Sequence, residues 1–414
     1  MADKEIRRGK NGWLAITLFN LVVVALLGAL LRSKSLFPLK FLNYKYILNA
    51  HSNFAFSGWL TLVIFVLLVY EILPKEIAEK LIYQWLFGGV FICALGMLLS
   101  FSFQGYSFYS ILFSTLFILV TYVFCYVFIK DILAVRPGKA VIILVVSAVL
   151  CLALSSLGAF NIVYLLRSHS KDTFLYQDSV YTYLHMQYNG FFSLSVFGLM
   201  VNKYVLNIKN DIQKKSVRFA RMAVIAVLPT MFLTFLWHYP NPFVRIVASV
   251  GWICLLISLF LLIGLLRSLK EQLLSLPGII KILLLFSVLS FGIKVIMQGG
   301  LAISAVGDLV FSDRPIIIGY LHLVLLGFVS LYLLSHIFVS ELGNGKNRFT
   351  KNAILVFLFA VIINEVILIT QGICAFFVFG SSIFQWLLWG AAICLFIGAL
   401  LMFVSFIKSR DRLV

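Results

Sequence analysis

Apolar positions along this chain come in long unbroken runs, without the alternation of half-buried strands or the three-and-four spacing of amphipathic helices. Runs of roughly 17 to 25 residues, enough to cross a hydrocarbon core of about 30 Å as an α-helix, recur throughout the sequence. Twelve spans are predicted: Trp13–Leu31, Ile47–Tyr70, Leu81–Phe103, Phe108–Lys130, Val141–Leu166, Val180–Val201, Ala220–Trp237, Phe243–Leu266, Gly278–Leu301, Ile316–Val339, Ala353–Phe379 and Phe384–Phe406. The expected fold class is therefore all-α, a polytopic membrane protein. Its organisation is an N-terminal tail (1–12), a twelve-helix transmembrane domain (13–407) and a C-terminal tail (408–414). No internal repeat or soluble second domain is evident.

Composition supports this reading: 62% of residues are hydrophobic and 12% charged, and the mean hydropathy is +1.07. A soluble domain could not hide that much apolar surface. The tail MADKEIRRGK precedes an apolar run without a small-residue cleavage site, so the first run is expected to stay as a span. Basic residues are retained on the cytoplasmic side during insertion. With both termini inside, cytoplasmic segments carry 24 of the 33 Lys and Arg residues, and outer loops carry 8. This charge pattern predicts that both termini are cytoplasmic. The net charge of +18 is spread over membrane-flanking loops, above all Lys203 to Arg221. Anionic membrane lipid, and not nucleic acid, is the partner that this pattern implies. The six cysteines all lie in apolar segments without a C-x-x-C and read as small core residues.

Orientation gives the histidines a common setting. His51, His185 and His322 fall four to six residues into the second, sixth and tenth spans, which run inward. At about 1.5 Å per residue they lie some 6 to 9 Å below the outer surface. His238 closes the seventh span, which runs outward, and so belongs to the same expected layer. His169, in an outer loop, and His336, near the inner end of the tenth span, do not, and read as interfacial or structural. Imidazole ligates haem iron and copper, and two opposed imidazoles complete a six-coordinate haem.

At these residues the sequence resembles the haem-copper oxidase superfamily. Ala50-His51-Ser52-Asn53-Phe54-Ala55-Phe56 is similar to the His-Thr-Asn segment of nitric oxide reductases and C-family oxidases. Gly319-Tyr320-Leu321-His322, followed by Gly327, resembles the superfamily's Gly-His-x-His-x-x-x-x-Gly. The resemblance implies a twelve-helix bundle of the subunit I type, with His51 and His322 as axial ligands of a low-spin haem b. His185 before Gly190-Phe191-Phe192, and Trp237-His238-Tyr239 in place of a His-His pair, resemble the copper-binding segments. His51, His322, His185 and His238 are thus the metal-ligand set that the resemblance implies.

The chain departs from that pattern where chemistry would occur. Tyr320 stands where the family has the proximal histidine of a second, high-spin haem, and the copper site lacks its third histidine. A phenolate can ligate haem iron, so Tyr320 is compatible with a second haem. The expectation is a respiratory electron-transfer protein with haem b, with copper and a second haem as further expectations. Reduction of oxygen or nitric oxide would occur at a degenerate second site. Cytochrome c, a copper-containing partner subunit or a quinol would supply electrons. Lys294 and Glu365 are ionisable residues inside spans, read as a buried ion pair, part of a proton route or neighbours of haem propionates. Tyr188 and Tyr239, beside His185 and His238, are hydrogen-bond or radical residues if copper binds, and interfacial aromatics otherwise. The alternative function is a haem-free transporter, metal-handling protein or oxidase-assembly protein that keeps the architecture.

Overall fold

In lipid, backbone N–H and C=O groups have no water to bond, so long apolar segments satisfy them internally as helices. The computed structural model describes residues 2–206, 208–239, 241–303, 306–307, 310, 314–342, 348–377 and 381–411. Met1, residues 412–414 and the expected end of the eleventh span at Phe379 lie outside them. The long helices are α1 (Ala2–Leu36), α2 (Tyr44–Ile72), α3 (Leu81–Gln104), α4 (Phe108–Val135), α5 (Lys139–Arg167) and α6 (residues 173–205). They continue as α7 (Asn210–Thr234), α8 (Pro242–Ser268), α9 (Gly278–Gly300), α10 (Pro315–Val339), α11 (Arg348–Phe376) and α12 (Ile383–Asp411).

Eleven of these, all except α6, are long and apolar enough to cross a membrane. The protein is a multi-pass membrane protein by that measure. Helix α6 is as long as the rest, but Asp178, His185, Gln187 and Asn189 make its first half polar. Several helices start earlier than the apolar runs suggest, because polar caps extend them. Asn43 accepts from the Lys45 and Tyr46 amides, Asp172 from Leu175, and Asn241 from Phe243 ahead of Pro242 at the first helical turn.

Sequence neighbours pack as antiparallel pairs, and α1 packs against α12, which brings the first and last helices together. Helices α2, α6 and α10 form the centre. Every residue from Phe56 to Val69, from His185 to Val201 and from Gly327 to Phe338 is buried. A helix apolar all round is a helix enclosed by others, and these three are.

The same three helices share a second feature. Each contains a π-helical segment shortly after a histidine: Ala55–Thr61 after His51, Met186–Phe192 after His185, and Leu323–Ser330 after His322. Such segments release carbonyls from the regular ladder, and in a membrane those carbonyls need other donors. Asn20 of α1 donates to Gly58 O at 2.7 Å, Ser193 to Tyr188 O at 2.5 Å, and Ser330 to Leu325 O at 2.8 Å. Ser287 of α9 donates to Phe328 O at 2.7 Å. Each segment also holds a glycine, and two of these admit a neighbouring helix. A Cβ on Gly190 would lie 2.5 Å from Cys151 Cβ of α5, and one on Gly327 would lie 2.7 Å from Ser290 Oγ of α9. A histidine, then a glycine-bearing π segment, then a buried apolar run therefore recurs three times.

At one end of the centre, Glu71 ties four helices together. It pairs with Lys10 of α1 and lies 3.4 Å from His336 Nε2 of α10, while its carbonyl accepts from Asn202 of α6 at 2.9 Å. His336 thus has a structural partner. His169 sits exposed after α5 with φ 51°.

Candidate functional site

Helices α2 and α10 are pinned in equal register. Trp59 Nε1 donates to Ser330 Oγ at 3.0 Å, and both residues are buried. Trp59 is eight residues beyond His51, and Ser330 is eight beyond His322. Both histidines therefore stand about 12 Å along their helices from one shared contact, at matching depth. The two imidazoles and Arg32 of α1 lie near enough that a charge on one would bear on the others.

Backbone carbonyls set the tautomers. His51 Nδ1 lies 3.1 Å from Val24 O of α1, and His322 Nδ1 lies 2.8 Å from Ile318 O one turn back. A carbonyl only accepts, so each Nδ1 carries the proton and each Nε2 keeps its lone pair. This is how proteins orient a ligating imidazole, with the second nitrogen held by a backbone acceptor. Both rings retain some accessible surface although they lie within the bundle. Beside His51, α1 presents Gly28, where an added Cβ would reach 3.4 Å from the ring's Cε1. Arg32, one turn further along that face, makes no hydrogen bond or ion pair among the described residues.

His185 is held differently. Its Nε2 donates to Val227 O at 2.8 Å and its Nδ1 accepts from Asn189 Nδ2 at 3.0 Å, in a fully buried position. Both ring nitrogens are spent on protein partners. His238 Nε2 lies 3.1 Å from Asp178 Oδ2, and its ring stacks on Phe174 at 5.1 Å. Asp178 precedes His185 by seven residues on α6, about 10 Å along the axis. The single layer expected of four histidines therefore breaks up. His51 and His322 share a depth, whereas His238 lies about two turns from His185. Among the described residues, no three or more His, Cys, Asp or Glu side chains gather to hold a metal ion. A copper ion at His185 would have to displace Val227 O or Asn189 Nδ2 from the ring nitrogens.

The other expected residues also find their places. Tyr320 and His322 are two residues apart, so they project to nearly opposite sides of α10. The Tyr320 ring meets Tyr188 edge-on at 5.7 Å, and Tyr188 meets His185 at 5.9 Å. Lys294 is 1% exposed, with its ammonium 5.2 Å above the Phe291 ring. It borders a pocket of about 10 Å³ with Asn189 and Thr230, room for a single water. Glu365 is buried on α11, bonded by Asn364 at 3.0 Å, with Oε2 unpartnered among the described residues. Lys294 and Glu365 form no ion pair among the described residues, so the paired reading is corrected. Tyr239 is 56% exposed at the end of α7 and stands apart from the His185 group. Tyr320 borders an apolar cavity of about 460 Å³ between α9, α10 and α11 that is lined by no imidazole.

Two sites thus flank α10: the His51/His322 pair with Arg32, and a buried polar island in which His185 is hydrogen-bonded to Asn189 and ringed by Tyr188, Tyr320 and Lys294. The chain matches no family model, and no curated protein is similar to it. Function has to be argued from the geometry. Sequence reasoning did not find Arg32, Asp178, Trp59 or Ser330. The eight-residue spacing from each central histidine to Trp59 and Ser330 was the signal available for the last two.

Proposed function

We propose that this chain is a membrane electron-transfer protein of the haem-copper oxidase subunit I type that carries one b-type haem between His51 and His322. The observation that carries the reading is the matched pair of Nδ1-anchored imidazoles, held at one depth by the Trp59–Ser330 bond. In this reading α6 is the twelfth span, which puts both termini on the cytoplasmic side of a bacterial inner membrane, where most basic residues lie. A haem held there supplies reversible one-electron chemistry. The protein's part is to fix both Nε2 atoms, through Val24 O and Ile318 O, and to exclude water with the apolar runs below them. Arg32 offers, beside the pair, a cation without a hydrogen bond or ion pair among the described residues.

The island on the other side of α10 is read as a polar brace and not as a reductive centre. Its imidazole has no free lone pair, and Tyr320 faces Tyr188. The reading therefore assigns no reduction of oxygen or nitric oxide to this chain. A donor in the membrane or a partner subunit supplies the electron.

The test is a pyridine haemochrome assay with reduced-minus-oxidised spectra on detergent-purified wild type, His51→Ala, His322→Ala and His185→Ala. Haem b in wild type, lost or turned five-coordinate in the first two variants and retained in His185→Ala, is the expected result. Absence of haem from wild type, or indifference to His51→Ala and His322→Ala, overturns the reading.

A further inference from the structure

A pocket of about 470 Å³ lies at the end of the bundle where α5 begins, α6 ends and α7 begins. Four cations border it: Lys139 at the start of α5, and Lys214, Arg218 and Arg221 of α7. The last three are spaced four and three residues apart, which aligns them on one face of the helix. All four are exposed. Among the described residues none of them has an ion pair or hydrogen bond, and no acidic side chain lines the pocket. The first turn of α5 opens into the same space. Its cap residue Gly138 offers no side-chain acceptor, so the first amides of the helix, those of Lys139, Ala140 and Val141, belong to residues that border the pocket and lack a capping side chain.

The wall behind these charges is aliphatic, made by Val141, Val201, Val205, Leu206 and Val217. A topology signal needs only basic residues on one side of the membrane. It does not need them to converge on a concavity, nor the concavity to be backed by aliphatic side chains. Convergent cations and free amides suit a phosphate, and the apolar wall suits acyl chains attached to it.

We propose that this pocket is a binding site for an anionic phospholipid, with the phosphate held by Lys139, Lys214, Arg218 and the α5 amides and the acyl chains along the valine wall. The site is independent of the haem reading. It retains one anionic lipid at the membrane face that carries the basic loops.

Native mass spectrometry of the full chain in mild detergent tests this, with phosphatidylglycerol, phosphatidylcholine and inorganic phosphate added in separate titrations. One phosphatidylglycerol per chain is expected, with phosphatidylcholine and inorganic phosphate failing to displace it. Each lipid-facing cation contributes on the order of a tenfold change or less, so Lys214→Gln/Arg218→Gln is expected to weaken retention about tenfold or more. Lys270→Gln/Lys281→Gln removes equal charge from the α8–α9 connection and the first turn of α9, and should leave retention unchanged. Should the double variant not fold, Lys139→Gln supplies the same comparison with a several-fold loss. Equal retention of phosphatidylcholine, equal losses in the control variant, or binding of inorganic phosphate without lipid would each overturn the proposal.

Discussion

Replacing His185 separates a brace from a metal ligand. The side chain is fully buried, donates to Val227 O and accepts from Asn189 Nδ2. In His185→Ala, Val227 O keeps the Thr230 hydroxyl at 3.1 Å, whose one proton it shares with Ala226 O at 2.7 Å. Asn189 Nδ2 does lose its acceptor, at about 1–3 kcal/mol for an unsatisfied buried group. Two lost hydrogen bonds net about 1 kcal/mol each and overlap with that penalty, and the vacated ring volume adds more. A destabilisation of about 3–5 kcal/mol follows, which should appear as a drop of several degrees in thermal unfolding in detergent. His185→Gln, which keeps polar atoms in the space, should recover part of it. Copper content should be the same, and negligible, in wild type and both variants. Unaltered unfolding of His185→Ala, or a stoichiometric copper content in wild type that His185→Ala abolishes, would refute the reasoning.

Three further outcomes follow from the packing. Trp59→Phe and Ser330→Ala should each cost about 1 kcal/mol, and the double variant should show a coupling of about 0.5–1.5 kcal/mol in a thermal-unfolding cycle, since one buried bond joins them. Gly190→Ala forces a Cβ to 2.5 Å from Cys151 Cβ and should cost about 1–3 kcal/mol, with Cys151→Gly restoring much of the loss. Asp178→Asn, at a largely buried partner of His238, keeps an oxygen that accepts from His238 Nε2, so it should change stability by about 1 kcal/mol and leave any haem absorption unchanged, as read by spectroscopy.

Much of this architecture was legible in the chain. The apolar runs located every long helix, and the register of His51 and His322 came out as their positions within the second and tenth spans implied. Helix α6 was the harder case, because a run interrupted by His185, Gln187 and Asn189 is apolar only in its second half. The π segments were hidden for a physical reason. A shifted backbone ladder depends on donors from elsewhere, such as Asn20 and Ser287, and no local pattern announces them. The fate of His185 was hidden in the same way: a sequence gives an imidazole, while Val227 O and Asn189 decide whether a lone pair is left. Tyr320 gave the best warning, standing where a second ligand was expected.

The proposed arrangement is one haem between His51 and His322 and no metal at His185. Its decisive measurement is the haem-to-protein stoichiometry of purified wild-type protein, taken with its metal content and the spin state of its iron. One haem b per chain is expected, six-coordinate and low-spin when both oxidised and reduced, without copper. No haem, a second high-spin haem, or one copper per chain would contradict it.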